Sequence, residues 1–72
     1  MHFVINGQQR EFPALVAGAT VQDLLAALGL KQDRVAIERN GSIVARTAWT
    51  STPVTAGDRF EIVHFVGGGS RD

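Results

Sequence analysis

Cysteine is absent from the 72 residues of this chain. Its absence excludes disulfide bonds, thiolate nucleophiles and thiolate metal ligands. Any sulfur atom that the protein carries for chemistry must therefore come from another molecule. Histidine is the other side chain that commonly binds transition metals, and the chain has only two, so few ligands for such a metal are present.

The chain also lacks an excess of charge and a long apolar run. Seven basic and seven acidic residues balance, and no basic cluster marks a nucleic-acid or anionic-membrane partner. No apolar stretch approaches the roughly 18 residues of a transmembrane helix. Residues 1–7 have neither the basic start nor the long apolar core of a signal peptide. We therefore expect a single cytoplasmic domain, with a globular composition of 44% apolar and 19% charged residues.

No arrangement of side chains resembles a catalytic centre. His2 and His64 have no acidic or cysteine partner at ligand spacing, so neither is predicted to bind metal or to catalyse. We expect His64 to be a partly buried strand residue. Ser42, Ser51 and Ser70 lack the glycine-flanked elbow of serine hydrolases. The chain is not predicted to be an enzyme.

One helix is clearly indicated over residues 21–28. Thr20 and Asp23 have the spacing of a capping box, in which each side chain accepts a hydrogen bond from the other residue's backbone N–H. Gly29 can adopt the left-handed conformation that ends a helix. The apolar side chains between these caps recur at helical spacing on one face: Val21, Leu24, Leu25 and Leu28.

Two Asn-Gly pairs, at residues 6–7 and 40–41, are strong hairpin signals. Apolar strand patterns surround them, at residues 3–5, 10–16, 35–39, 43–44 and 59–66. Pro13 cannot donate to a β-ladder, so the second strand should lie at an edge or end there. Residues 47–51 have no clear period, which favours a turn or 3₁₀ segment with Trp49 covering the core.

The order strand, strand, helix, strand, strand, strand predicts an α+β protein. A single apolar helical stripe needs a sheet to cover it, here with Ile5, Ile37, Phe60 and Ile62. A mixed four- to five-stranded sheet packed on one main helix satisfies this, with the first and last strands parallel at the centre. This is the β-grasp, or ubiquitin-like, architecture. Residues 1–66 form the predicted domain, and residues 67–72 form a glycine-rich tail.

The last strand should present two different faces. If Phe60 and Ile62 face the helix, alternation turns Val63 and Phe65 to the other side of the sheet. Exposed apolar side chains beside the tail would mark a protein interface. Alternatively, loops cover them, or they are isolated exposed apolar residues, which are common.

The glycine tail, Gly67, Gly68 and Gly69, follows the last strand directly. Because glycine has no Cβ, this tail can enter an enzyme cleft that larger side chains would block. That property suits a protein whose terminal carboxyl group is the substrate of another enzyme. We expect the tail to be mobile, since ordering three glycines costs about 1–2 kcal/mol each. The alternative is an inert, linker-like terminus.

Several segments together resemble one family. They are Val35–Gly41, Ile43–Val44, Trp49, Gly57–Asp58 and Glu61–Gly69. This pattern is similar to ThiS, the small sulfur carrier of bacterial thiamine biosynthesis. The resemblance covers nearly the whole chain and implies the same β-grasp fold.

The resemblance also implies an activity and a set of partners. A ThiF-type adenylyltransferase uses ATP and Mg²⁺ to convert the carboxylate of Gly69 to an acyl adenylate. A persulfide, made from cysteine by a desulfurase, displaces AMP and leaves a thiocarboxylate. Thiazole synthase then consumes this sulfur. The chain itself would bind no cofactor. Val63, Phe65, Val66 and Glu38 are the residues expected to contact partner enzymes.

One feature departs from the family pattern, because Ser70-Arg71-Asp72 follow Gly69. Gly69 cannot be adenylated while its carbonyl is bonded to Ser70. Either a protease removes these residues, or they are not native, or the family interpretation fails for this chain. Other functions also remain open: a sulfur carrier for molybdopterin or another product, a ubiquitin-like modifier, or a plain binding module.

Overall fold

A computed structural model describes residues 1–65 of the chain. Two short 3₁₀ turns, at Gln32–Arg34 and Arg46–Ala48, connect the later strands. The helix and strands are, in chain order, β1 (His2–Ile5), β2 (Gln8–Glu11), α1 (Val21–Leu28), β3 (Val35–Arg39), β4 (Ser42–Ile43) and β5 (Arg59–His64).

The strands form one five-stranded sheet in the order β2-β1-β5-β3-β4. β1 and β5 are parallel, whereas the pairs β1–β2, β3–β4 and β3–β5 are antiparallel. The last strand thus lies at the centre, beside the first. This confirms the predicted α+β β-grasp fold, with a mixed sheet and one main helix.

Helix α1 has the boundaries that its capping residues predict. The backbone N–H of Thr20 donates to Asp23 Oδ2 at 2.9 Å, and the backbone N–H of Asp23 donates to Thr20 Oγ1 at 3.4 Å. Gly29 ends the helix at φ 71°, where a side chain would be strained. The capping box satisfies two backbone donors that would otherwise lack partners.

The core lies between α1 and one face of the sheet. Val21, Leu24 and Leu25 are fully buried, as predicted from the stripe. Ile5, Ile37 and Phe60 are buried on the sheet side. Leu28 and Ile62 are only half-buried at the margin of this core. Both lie near the end of the domain where β1 has already stopped.

Both predicted hairpin turns are present. Asn6 and Gly7 have φ angles of 50° and 82°, and Asn40 and Gly41 have 51° and 89°. Two successive residues with positive φ match the right-handed twist of a two-residue hairpin. The return strand β2 is at the sheet edge, as expected from Pro13, and it ends at Glu11 before that proline.

The segment between β4 and β5 is irregular but tightly held. It contains the expected 3₁₀ turn, and Trp49 is only 3% exposed. The indole Nε1–H of Trp49 donates to the carbonyl of Val44 at 3.0 Å. A buried indole needs such an acceptor, since an unpaired N–H would cost free energy. The prediction of Trp49 as a core cover is confirmed.

Candidate functional site

The candidate site is the end of β5 and the sheet face around it. Beyond β5, the backbone N–H of Phe65 still donates to the carbonyl of Arg34 at 2.7 Å. The domain therefore keeps its hydrogen-bonded structure up to the last described residue. Val66, Gly67, Gly68 and Gly69 lie outside the described residues, so their predicted roles and the mobility of the tail stay predictions.

Asp58 anchors the start of β5. It is 7% exposed, and it accepts hydrogen bonds from Arg39 Nε at 2.8 Å, Asn40 Nδ2 at 3.0 Å and the Thr55 backbone N–H at 2.8 Å. Burial alone would raise the pKa of Asp58. The hydrogen bonds from Asn40, Thr55 and Arg39, with the Arg39 charge, outweigh burial, so the pKa lies below its ordinary value.

The asparagines of the two hairpin turns bind the backbone of β5. Asn6 Oδ1 accepts from the Ile62 N–H at 2.7 Å, and Asn6 Nδ2 donates to the Ile62 carbonyl at 3.2 Å. Asn40 Oδ1 accepts from the Arg59 N–H at 2.9 Å. Sequence reasoning recognised both asparagines only as turn residues. These bonds fix the register of β5 against β1 and β3.

The sheet face opposite α1 carries uncovered apolar side chains near the end of β5. Val63 is 58% exposed and Phe65 is 54% exposed, which confirms that they do not join the core. Ile43 on β4 is 69% exposed and was not singled out from the sequence. Its exposure could have been anticipated from alternation, because the next residue, Val44, is half-buried. Large exposed apolar side chains of this kind favour a protein interface.

Glu38 lies on the same face as these apolar residues. It is half-buried and pairs directly with Glu61 on β5 and with Ile43 on β4. Two glutamates opposite each other repel in the free domain. We call Glu38, Ile43, Glu61, Val63 and Phe65 together the outer face. The predicted contacts of Glu38, Val63 and Phe65 with partner enzymes stay predictions.

The expectation that His64 is partly buried was wrong, because its side chain is exposed. β1 ends at Ile5, so no strand of the described residues lies beside His64 on that side of β5. Within residues 1–65, no three histidine, cysteine, aspartate or glutamate side chains cluster as metal ligands would. No helix in this part of the chain has the length and apolarity needed to cross a membrane.

Comparison with known proteins places this architecture in one family. The family model described as the ThiS family matches residues 3–69. The chain also superposes on the crystal structure of the thiamine biosynthesis protein ThiS from Geobacter metallireducens with a TM-score of 0.80. The two are 34% identical, and the match covers 96% of this chain and 100% of that protein.

Two curated relatives show where similar sequences occur. The sulfur carrier protein ThiS of Bacillus subtilis is 44% identical over 50 residues, which are 69% of this chain and 76% of that protein. A thiazole synthase of Paramagnetospirillum magneticum is 46% identical over 70 residues, which are 97% of this chain. The chain spans only 21% of the length of that synthase. The match to the family model, the sequence similarity and the shared structure together show that the chain belongs to the ThiS family.

Proposed function

We propose that this protein is a sulfur carrier of thiamine biosynthesis whose reacting group is the carboxyl group of Gly69. The observation that carries this proposal is the position of the glycine segment in the sequence. It follows directly after the central strand of a ThiS-family domain. Because Asn6, Asn40 and Asp58 hold that strand, the carrier has a fixed origin from which a thin chain can reach an enzyme cleft.

The proposed chemistry takes place in two steps on the same carbonyl carbon. A carboxylate is a poor electrophile, so an adenylyltransferase first joins it to AMP and releases pyrophosphate. A persulfide sulfur then attacks the carbonyl carbon and AMP leaves. Cleavage of the sulfur–sulfur bond by a thiol leaves the thiocarboxylate on Gly69. The absence of cysteine from the chain means that no internal thiol competes for the activated carbon.

In this proposal the carrier contributes recognition and reach, and its partners contribute catalysis. A ThiF-type adenylyltransferase uses ATP and Mg²⁺, and a cysteine desulfurase is the source of sulfur. The outer face, together with Val66, contacts these enzymes or thiazole synthase. The thiazole synthase partner is supported by the Paramagnetospirillum protein of that name, because one stretch of it resembles almost all of this chain.

Intact mass spectrometry of the protein purified from its native cells tests this function. We expect a species that ends at Gly69 and is heavier by the difference between one sulfur and one oxygen atom. Treatment with an alkylating reagent should modify that species and leave the carboxylate form unchanged. A ladder of larger conjugates would instead show a ubiquitin-like modifier. A single species that is never sulfurated would contradict the sulfur-carrier function.

A further inference from the structure

A gap as wide as one strand opens beside the end of β5. β1 ends at Ile5, and the chain turns away at Asn6-Gly7 to form β2. β5 continues to His64 and pairs with β3 from Phe60 to His64. On its other side, β5 pairs with β1 only at Arg59 and Phe60. Past Ile62, no strand of residues 1–65 occupies the position that a longer β1 would take.

The backbone of His64 faces this gap. Along β5, alternate residues direct their N–H and carbonyl groups to opposite sides. Phe65 bonds to Arg34 on the β3 side, whereas Ile62 bonds to the Asn6 side chain on the β1 side. His64 stands two residues after Ile62, so its N–H and carbonyl point into the gap. Within residues 1–65, neither group has a hydrogen-bond partner.

Beneath the gap lies a groove between the sheet and the end of α1. Its volume is about 250 Å³, and its floor is mainly apolar. This is smaller than the roughly 300–1,000 Å³ of most small-molecule sites, so it suits a side chain of a peptide. The residues that line it are Ile5, Asn6, Leu28, Leu30, Ile62 and, at the rim, Arg10 and His64.

Arg10 gives the rim of the groove a positive charge. Its guanidinium lies 5.4 Å from the centre of the Phe12 ring. In the described part of the chain, no carboxylate lies within ion-pair distance of Arg10. An incoming chain with an acidic side chain at this rim would therefore complement the groove in charge.

We propose that the gap beside His64 binds an extended segment of a partner protein, which adds to the sheet as a further strand in place of a longer β1. Its backbone pairs with His64, an alternate apolar side chain enters the groove over Leu28 and Leu30, and an acidic side chain meets Arg10. This mode of recognition joins backbone hydrogen bonds with pockets for alternate side chains. The site lies at a strand edge and is separate from the outer face. It does not depend on sulfur chemistry.

A capped hexapeptide that alternates glutamate with valine and leucine is a suitable probe. Titrated into the full chain and followed by backbone NMR, it should shift the His64 amide saturably and slow the exchange of that amide with water. A matched peptide with lysine in place of glutamate should bind more weakly. No saturable shift at His64, or shifts confined to Val63 and Phe65, would overturn the proposal.

Two pairs of variants separate the backbone contact from the charge contact. His64→Pro removes the N–H that faces the gap, whereas the hydrogen bonds to β3 come from the neighbouring residues, so the melting temperature should hold. Relative to His64→Ala, it should raise the peptide Kd about five-fold, the value of one net hydrogen bond. Arg10→Glu should reverse the preference between the two peptides, whereas Arg10→Lys should keep it.

The same data show whether the gap is already filled. If the His64 amide exchanges slowly before peptide is added, a second copy or the chain's own tail already occupies the gap. The proposal that a partner protein binds there would then be wrong. Equal Kd values for His64→Pro and His64→Ala would also overturn the proposal. Because the peptide assay needs no sulfur donor or enzyme, its outcome is independent of the proposed sulfur-carrier function.

Discussion

The buried carboxylate of Asp58 makes the most quantitative prediction. Asp58→Asn keeps the shape of the side chain but removes its charge. It also replaces one accepting oxygen with an NH₂ group, which cannot accept the hydrogen bonds that Arg39, Asn40 or Thr55 donate. Hydrogen bonds to charged groups contribute about 1.5–3 kcal/mol each, against about 1 for neutral ones. Because Arg39 is partly exposed, we expect a loss of about 2 kcal/mol at pH 7. The total free energy of unfolding of a domain of this length is about 4–11 kcal/mol, so this loss would be a large part of it.

The pH dependence gives the sign of this effect. The pKa of Asp58 is lowered in the folded state from its ordinary 3.8. Its ionised form therefore stabilises the fold fully above that value, and the contribution is lost as the pH falls through the lower folded-state pKa. The difference in stability between wild type and Asp58→Asn should be constant from pH 7 to about pH 5 and shrink below pH 4.

Urea unfolding monitored by fluorescence measures both effects. Trp49 is the one tryptophan of the chain and is buried, so its emission reports global unfolding. Asp33→Asn is the control, because it removes an acid of the same type from an exposed site and should change stability by less than about 0.5 kcal/mol. If Asp58→Asn is as stable as wild type at pH 7, or its deficit is the same at pH 3, the anchoring role is refuted.

Two further predictions address the core and the outer face. Leu25→Ala removes a fully buried side chain under the sheet and should cost about 2–5 kcal/mol, which leaves little folded protein; an unchanged melting temperature would show that the core is assigned wrongly. Phe65→Ala should weaken binding of the adenylyltransferase by more than about 1 kcal/mol with the melting temperature preserved. The control is Val16→Ala, which shortens an apolar side chain that is 66% exposed and lies far from β5 in sequence. Equal binding of the two variants would argue against the outer face as the interface.

Local signals predicted most of the fold because they depend on near neighbours in sequence. The capping box of Thr20 and Asp23 and the turn at Asn40-Gly41 involve residues at most three apart, so their chemistry can be read directly. The β-grasp topology followed, since one apolar helical stripe has few ways to be covered. The register of β5 against β3 and β1 required the structure.

Long-range polar contacts were the part that sequence reasoning missed. Asn6 binds Ile62, 56 positions away, and Asp58 joins Arg39 and Asn40 across 19 and 18 positions. No local pattern encodes such pairs. His64 was misassigned for a related reason, because alternation gives the face of a strand but not the point at which its neighbour ends. Alternation did predict that Val63 and Phe65 face away from α1, but only the structure shows that no described loop buries them, at 58% and 54% exposure.

The central claim is that a partner enzyme activates the carboxyl group of Gly69. ATP–pyrophosphate exchange by the adenylyltransferase, measured on forms that end at Gly69 and at Asp72 and on a Gly69→Ala form that ends at that position, tests it most directly. The account predicts rapid exchange with the form that ends at Gly69. It predicts strongly reduced exchange with the alanine form, and none with the form that ends at Asp72 unless a protease is added. Equal exchange for the forms that end at Gly69 and Asp72 would contradict the account.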